Sequence, residues 1–508
     1  AMLLVGLGIA SAVATPVPLV VPVEEAGDGP RFVGWALLGL TAAAAAIRLA
    51  TPREMWLDEA LTARITGRPF GAMLDAAASA DAHPPLQMML SWASRQALGA
   101  SPFALRLPSL IASVVVVPLL YLTGKELYDR RAGFAAAALG AFAPPLVWFS
   151  NEARPAALTT LLAVTTLLTM LWALRRGRPT DWALFGLSGA ALVWSHQLAL
   201  AHLAVLHGAV FVGLVRRRKA RQPVLPEVGG WLVALTLVAL ATVPLLVLRS
   251  GLGPPRVLPP LEYATAAAPG GETSVFPLIG SLLSGVFGFH TVSVTSRLLA
   301  LWPLGMLGAL MVLGRTRSRQ GPLLLLLATA PVAVILLAQL FGAPRRPTFA
   351  LGWFATAVPA LVLVFGRGVT MIGGRWPRMR LITAAAAAVL IVALVDQTAR
   401  VRPLHRFDVN PAVAEVARAA APGDLVVYEP KALGDLLRYK APDVQVRHLQ
   451  AEPGAAVGQH RRVFVVAAFS LTNPDESVPR VVDFVKNTAA EKPLRSERGR
   501  DVKVWMFE

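Results

Sequence analysis

The sequence predicts a polytopic α-helical membrane protein followed by a small C-terminal α/β domain. Three observations carry this reading. Of the 508 residues, 55% are hydrophobic and only 15% are charged, whereas an ordinary soluble protein is about 25% charged. The apolar residues gather into runs of bilayer-spanning length, about 20 residues at 1.5 Å rise each. Basic residues fall in short bursts after every second run, which is the signature of loops on the cytoplasmic side. Length alone would suggest several soluble domains. So few charges could not cover their surfaces, and that alternative is excluded.

Candidate spans lie near 2–22, 32–50, 105–124, 132–149, 153–174, 181–197, 199–215, 229–248, 294–313, 321–341, 348–366 and 380–396. The first is the weakest of the 11–12, because Pro16 and Pro18 shorten it and Glu24, Glu25 and Asp28 make a poor cytoplasmic loop. Residues 84–98 form a shorter run carrying Arg95 and read as an interfacial helix. Five basic bursts follow: Lys125/Arg130/Arg131, Arg175/Arg176/Arg178, 216–221, Arg315/Arg317/Arg319 and Arg367/Arg375/Arg378/Arg380. Each comes two spans after the last, so all five share one side.

The formal net charge of +18 would suggest nucleic-acid binding in a soluble protein. Here the surplus is mostly a topology signal, and no nucleic-acid partner is expected. With no cysteine there is neither disulfide nor thiolate chemistry.

The opposite side receives outer loops at about 51–104 and 249–293 and everything after residue 396. The chain therefore divides into a membrane domain, 1–396, and an extracytoplasmic domain, 397–508. In the latter, strand-like runs at 424–429, 444–449, 461–469 and 501–507 alternate with helical patterns at 410–421, 432–440 and 477–490. That alternation argues a layered α/β domain. No Gly-rich phosphate loop follows its strands, so no nucleotide site is expected there.

Chemistry-bearing residues concentrate in the outer segments. Asp58 and Glu59 directly follow a span in WLDEA, where a carboxylate can serve as a general base; the plain alternative is an acidic loop. In DAHPPL, two prolines can hold Asp81 and His83 toward a pocket, or Asp81 simply caps the helix. Asp81 or His83 is also the candidate ligand for a divalent metal, although the spacing is not diagnostic. Arg106 in ALRLPS, Glu152 and Arg154 in NEARP, and Arg345 and Arg346 in APRRPTF all sit at outer span ends. Such residues either snorkel to water or, as arginines, clamp a phosphate. His196, in VWSHQL, lies on the same side and reads first as a packing residue.

The ordered set WLDEA, DAHPPL, FALRLPS, GKELYDRRAG and NEARPAAL, between about residues 50 and 160, resembles the multi-pass glycosyltransferases of the GT-C class. It is most similar to the family of protein O-mannosyltransferases and the aminoarabinose transferase of lipid A, in an actinobacterial-like form. APRRPTFALGWFATAVPAL at 343–361 resembles that family's late outer Arg-Tyr region, but Arg346 is followed by Pro347 where the tyrosine belongs.

The resemblance implies an enzyme of the bacterial plasma membrane that moves a sugar from a polyprenyl-phosphate donor to an acceptor at the outer face. The acceptor would be a glycan, a lipid or a protein. Asp58 would be the catalytic carboxylate, Glu59 its neighbour in the family's acidic pair, and His83 with Pro84 and Pro85 the second signature. Arg106 and Arg154 match positions expected near the lipid phosphate. Members with and without a metal are known, so no cofactor is assigned. Two other classes compete: a multi-pass transporter of a lipid or small solute, and a non-catalytic scaffold with an outer binding domain. Transporters place their ionisable groups near mid-membrane, whereas here those groups sit at span ends.

Overall fold

The computed structural model describes residues 32–52, 54–80, 83–250, 320–340, 354–375, 409–429, 433–449, 460–468, 495–498 and 502–507, with residues 392 and 395. The expected spans at 2–22, 294–313 and 380–396 and the loop 249–293 lie outside them, apart from residues 249, 250, 392 and 395. Two compact units emerge. One comprises residues 1–52, 74–94 and 106–401, the other residues 53–73, 95–105 and 402–508.

The first unit is a helical membrane body. Five helices among the described residues are long and apolar enough to cross a bilayer. They are α1 (Phe32–Ala50), α5 (Pro102–Leu127), α8 (Ala156–Arg176), α10 (Ala199–Lys219) and α11 (Leu225–Ser250). The consecutive apolar helices α6 (Arg130–Phe142) and α7 (Pro144–Ser150) meet at a 55° bend, the geometry of a broken span or a re-entrant loop. The apolar helices α9 (Pro179–Ser195), α12 (Gly321–Leu340) and α13 (Val358–Arg375) follow, with α3 (Phe70–Ala80) and α4 (Leu86–Leu98) between α1 and α5 in sequence. This is a multi-pass membrane protein.

Local chemistry sets the helix boundaries. Asp129 caps α6 by accepting the Ala132 N–H at 2.8 Å. Gly177, left-handed at φ 66°, ends α8, and Pro179 then opens α9 at a position where its missing N–H costs nothing. Of the helix expected over 348–366, residues 348–353 lie outside the described residues, turns occupy 355–357 and α13 begins at Val358. Pro359 there suits a first helical turn and no later one.

The short connection between α5 and α6 brings their backbones so close that a Cβ on Gly133 would collide with the Tyr121 carbonyl, and one on Gly124 with Gly133 Cα. At that end of the body Arg175 pairs with Glu126, and Arg367 reaches Asp129 at 2.6 Å. Three of the basic bursts thus meet at one end, as their spacing requires. Inside, Leu120, Phe149, Leu167, Trp182, Phe185 and Val364 belong to one buried cluster. Leu240, Leu246 and Val247 of α11 are exposed apolar side chains on a membrane helix, as a lipid-facing surface demands.

The second unit holds a five-stranded mixed sheet in the order β2-β1-β3-β5-β4. Its strands are β1 (Leu425–Glu429), β2 (Gln445–His448), β3 (Val463–Ala468), β4 (Arg495–Arg498) and β5 (Val502–Phe507). β1 runs parallel to β2 and β3, while β5 is antiparallel to β3 and β4. Every residue of β1 is buried, as expected of a central parallel strand.

Helices α14 (Asn410–Ala419) and α15 (Leu433–Lys440) match the sequence expectation, while 477–490 lies outside the described residues. The fifth strand, β4, was not expected. In the same unit α2 (Leu57–Thr66) packs on α15, with Arg64 Nε 2.7 Å from Asp435 Oδ1. Residues 53–73 and 95–105 therefore share a compact unit with the C-terminal tail.

Candidate active site

In the membrane unit, three of the sequence motifs are joined by one hydrogen-bonded chain. Pro84 and Pro85 are buried, and the Pro85 carbonyl accepts the Met89 N–H at 2.9 Å, starting α4 directly after His83. In the first turn of α4, buried Gln87 donates from Nε2 to Ser109 Oγ of α5 at 3.1 Å. Ser109 in turn donates to the Arg154 carbonyl at 3.3 Å. Ser109 lies three residues after Arg106, on the same helical face, and Arg106 is only 7% exposed. The DAHPPL, ALRLPS and NEARP motifs therefore converge through Gln87, Ser109 and Arg154. Neither Gln87 nor Ser109 stood out in the sequence; each is an uncharged polar residue among the other polar residues of its helix, so the sequence carries no signal that singles it out.

The NEARP turn is held from several sides. Glu152 Oε1 accepts from the indole N–H of Trp148. Thr159 Oγ1 lies 3.1 Å from Ser195 Oγ, tying the start of α8 to the end of α9, and Thr160 donates to the Ala355 carbonyl at 3.1 Å. Directly after Ser195, His196 is 2% exposed and its ring centroid lies 4.8 Å from that of His83. Its Nδ1 accepts the Leu198 N–H at 3.1 Å, a bond that only a ring with its proton off Nδ1 can make. The packing reading of His196 gains a specific neighbour, the histidine of DAHPPL.

In the second unit, Asp58 and Glu59 occupy the first turn of α2, where negative charge suits the helix dipole. The two differ sharply. Glu59 is 2% exposed and reaches back to accept the Trp56 N–H at 3.1 Å, the carboxylate half of a capping box. Asp58 is half-buried, and its carbonyl accepts from Thr62 Oγ1 at 3.1 Å. Arg95 donates to the Ala63 carbonyl and faces Gly67, where a Cβ would stand 3.3 Å from its guanidinium.

Asp81, Arg345 and Arg346 lie outside the described residues. Among the described residues no group of three or more His, Asp or Glu is placed to hold a metal ion.

Residues 82–246 match the family model of dolichyl-phosphate-mannose-protein mannosyltransferases. Among solved structures, ArnT from Cupriavidus metallidurans bound to undecaprenyl phosphate is similar with a TM-score of 0.55 and 13% identity, over 93% of this chain and 98% of that one. The archaeal oligosaccharyltransferase AglB from Archaeoglobus fulgidus, in complex with an inhibitory peptide and a dolichol-phosphate, gives 0.51 and 12% over 90% and 72%. This chain has the GT-C fold.

A third structure of that fold, the mycobacterial arabinofuranosyltransferase AftD, gives a TM-score of 0.51 and 15% identity, over 95% of this chain but 40% of its own. No curated protein matches the chain in sequence. The segment covered by the mannosyltransferase model contains His83, Arg106, Glu152, Arg154 and His196, and ends within α11. Within the GT-C body, then, the matched segment is also the one whose motifs are tied together by Gln87 and Ser109.

Proposed function

We propose that this protein is an inverting glycosyltransferase that uses a polyprenyl-phosphate sugar as donor and works at the outer face of the bacterial plasma membrane. The observation that carries the reading is the Gln87–Ser109–Arg154 chain, which gathers the histidine, arginine and NEARP motifs in a body of GT-C fold. The carriers in the similar structures, undecaprenyl phosphate and dolichol-phosphate, support a lipid-phosphate donor. A polyprenyl tail requires an apolar surface, which the spans offer, and its phosphate requires cations near their ends.

The chemistry follows from those residues. Asp58 accepts the proton of an acceptor hydroxyl as that oxygen attacks the anomeric carbon. The bond from the anomeric carbon to the phosphate oxygen breaks in the same step, and polyprenyl phosphate leaves. Arg106 and Arg154 stabilise the charge that develops on the departing phosphate. A single displacement inverts the anomeric centre.

The acceptor is a glycan, lipid or protein hydroxyl. Purified protein in lipid nanodiscs, given a panel of radiolabelled polyprenyl-phosphate sugars, tests the reading. Transfer from one donor is expected, with D58A inactive and the product anomer inverted. No transfer from any donor, equal transfer by D58A, or a covalent sugar–enzyme species would overturn it.

A further inference from the structure

A buried arginine of α1 has no role in the scheme above, yet it touches the break that precedes the NEARP turn. Arg48 is 1% exposed, within a membrane helix. Among the described residues it has no carboxylate partner, and Nη2 is buried without a hydrogen bond. A guanidinium so placed is costly unless it does something specific.

What it does is satisfy backbone. In a continuous helix the carbonyls of Gly140 and Ala141 would accept from residues 144 and 145, but both are proline and carry no N–H. Within a bilayer such carbonyls need another donor. Arg48 Nη1 donates to the Ala141 carbonyl at 2.8 Å and to the Ala44 carbonyl at 2.9 Å. Its Nε donates to Ser113 Oγ at 2.8 Å, and Ser113 donates onward to the Leu146 carbonyl at 2.7 Å. One side chain thereby holds carbonyls on both sides of the 55° bend, directly and through α5.

The link is returned from the far side. Asn151 Nδ2 donates to the backbone carbonyl of Arg48 at 3.4 Å and to the Val147 carbonyl at 3.3 Å. Asn151 is the first residue of NEARP and the C-cap of α7.

We propose that Arg48 is a positioning residue whose guanidinium clamps the proline break between α6 and α7 and so fixes the turn carrying Glu152 and Arg154. The inference rests on the glycosyltransferase reading for its catalytic consequence, but not for its structural one. A lysine could not hold both bonds in one plane, so R48K should restore only part of the function.

The test uses the full chain in nanodiscs, with R48M, R48K and R48M/P145A. In the double variant, replacing Pro145 with alanine supplies the N–H that a continuous helix would offer the Ala141 carbonyl, so the deficit of the carbonyl that Arg48 holds is repaired. R48M is expected to lower Tm, to speed amide exchange at 149–155 at least about tenfold and to raise the donor KM by a similar factor. R48K should fall between R48M and the unmodified chain. R48M/P145A should recover Tm while exchange and KM stay altered.

The proposal is overturned if R48M leaves exchange at 149–155 unchanged, or if the double variant restores exchange and KM together. Should R48M fail to fold, S113A, which removes the middle link, carries the same readouts. If the unmodified chain transfers no sugar, the glycosyltransferase reading fails, and the exchange data still decide the clamp.

Discussion

Glu59 Oε2 accepts the backbone N–H of Trp56 at 3.1 Å, so the two adjacent carboxylates of WLDEA have different employment. Glu59 is committed to the start of α2, while the cap does not draw on Asp58. D58N should therefore lower transfer by about 10²–10⁴-fold, the usual worth of a general base, with no more than the small loss of Tm that follows from removing one charge at a helix start. E59Q keeps an acceptor oxygen and should stay close to the unmodified chain. E59A should cost about 0.5–2 kcal/mol, the range for losing a cap. Thermal melts run beside transfer assays separate the two. Loss of transfer in E59Q equal to that in D58N would reverse the assignment.

Ser109 is buried and has a hydrogen-bond partner on either side, Gln87 and the Arg154 carbonyl. Removing its hydroxyl takes one partner from the Gln87 amide, which keeps Ser91 Oγ at 3.2 Å, and one from the half-buried Arg154 carbonyl, at up to about 1–3 kcal/mol for an unsatisfied group. S109A is expected to lower Tm and raise the donor KM, because Arg154 loses its anchor to α5. S109T, which keeps the hydroxyl, should recover most of both. A donor KM unmoved in a folded S109A would show that this chain of bonds does not set the site.

Much of the fold was legible because membrane helices and buried strands announce themselves by length and apolar content. The spans at 32–50, 153–174 and 229–248 became α1, α8 and α11 with small shifts, and four strands appeared where their apolar runs lie. β4 was hidden because RSER has no apolar alternation to read. The break at 142–144 was hidden too, since PPLVWF reads as apolar continuation although its prolines deny two carbonyls their donors.

The candidate site residues were named from their charge, and the residues that hydrogen-bond beside them were missed. Arg106 and Arg154 were conspicuous, whereas Gln87, Ser109 and Arg48 act through partners distant in sequence. Glu59 was conspicuous as half of an acidic pair, and the structure gives it a capping role as well. Its capping role was masked because Trp56, rather than a serine or threonine, occupies the N-cap.

His196 joins two tasks, a turn and a ring contact. Its Nδ1 holds the Leu198 N–H after α9, and its ring lies beside that of His83. Asparagine can take over the first task, since its side-chain oxygen accepts from the N–H two residues on, but it has no ring. H196N should therefore keep Tm close to the unmodified chain and still slow transfer, whereas H196A should lower both. Equal transfer by H196N and the unmodified protein would reduce His196 to a cap.

Asp424 offers a pH test confined to the second unit. Burial of this fully enclosed carboxyl acts to raise its pKa. Hydrogen bonds from Arg462 and the Ala421 N–H, with the charges of Arg462 and Arg461, outweigh that and hold it below the usual carboxylate value. The bonds are short, 2.7 Å from Arg462 Nη2 and 2.8 Å from Ala421 N. They join the turn before β1 to the residue before β3. A carboxyl whose folded pKa is depressed adds stability above its unfolded pKa, about 3.9, and loses it as pH falls through the lower folded value. Amide exchange over 420–429 should thus show this contribution intact from neutral pH down to about pH 4 and declining below. D424N should exchange faster at neutral pH and lose that part of the acid dependence. An acid profile identical in D424N and the unmodified chain would place the sensitivity elsewhere in the unit.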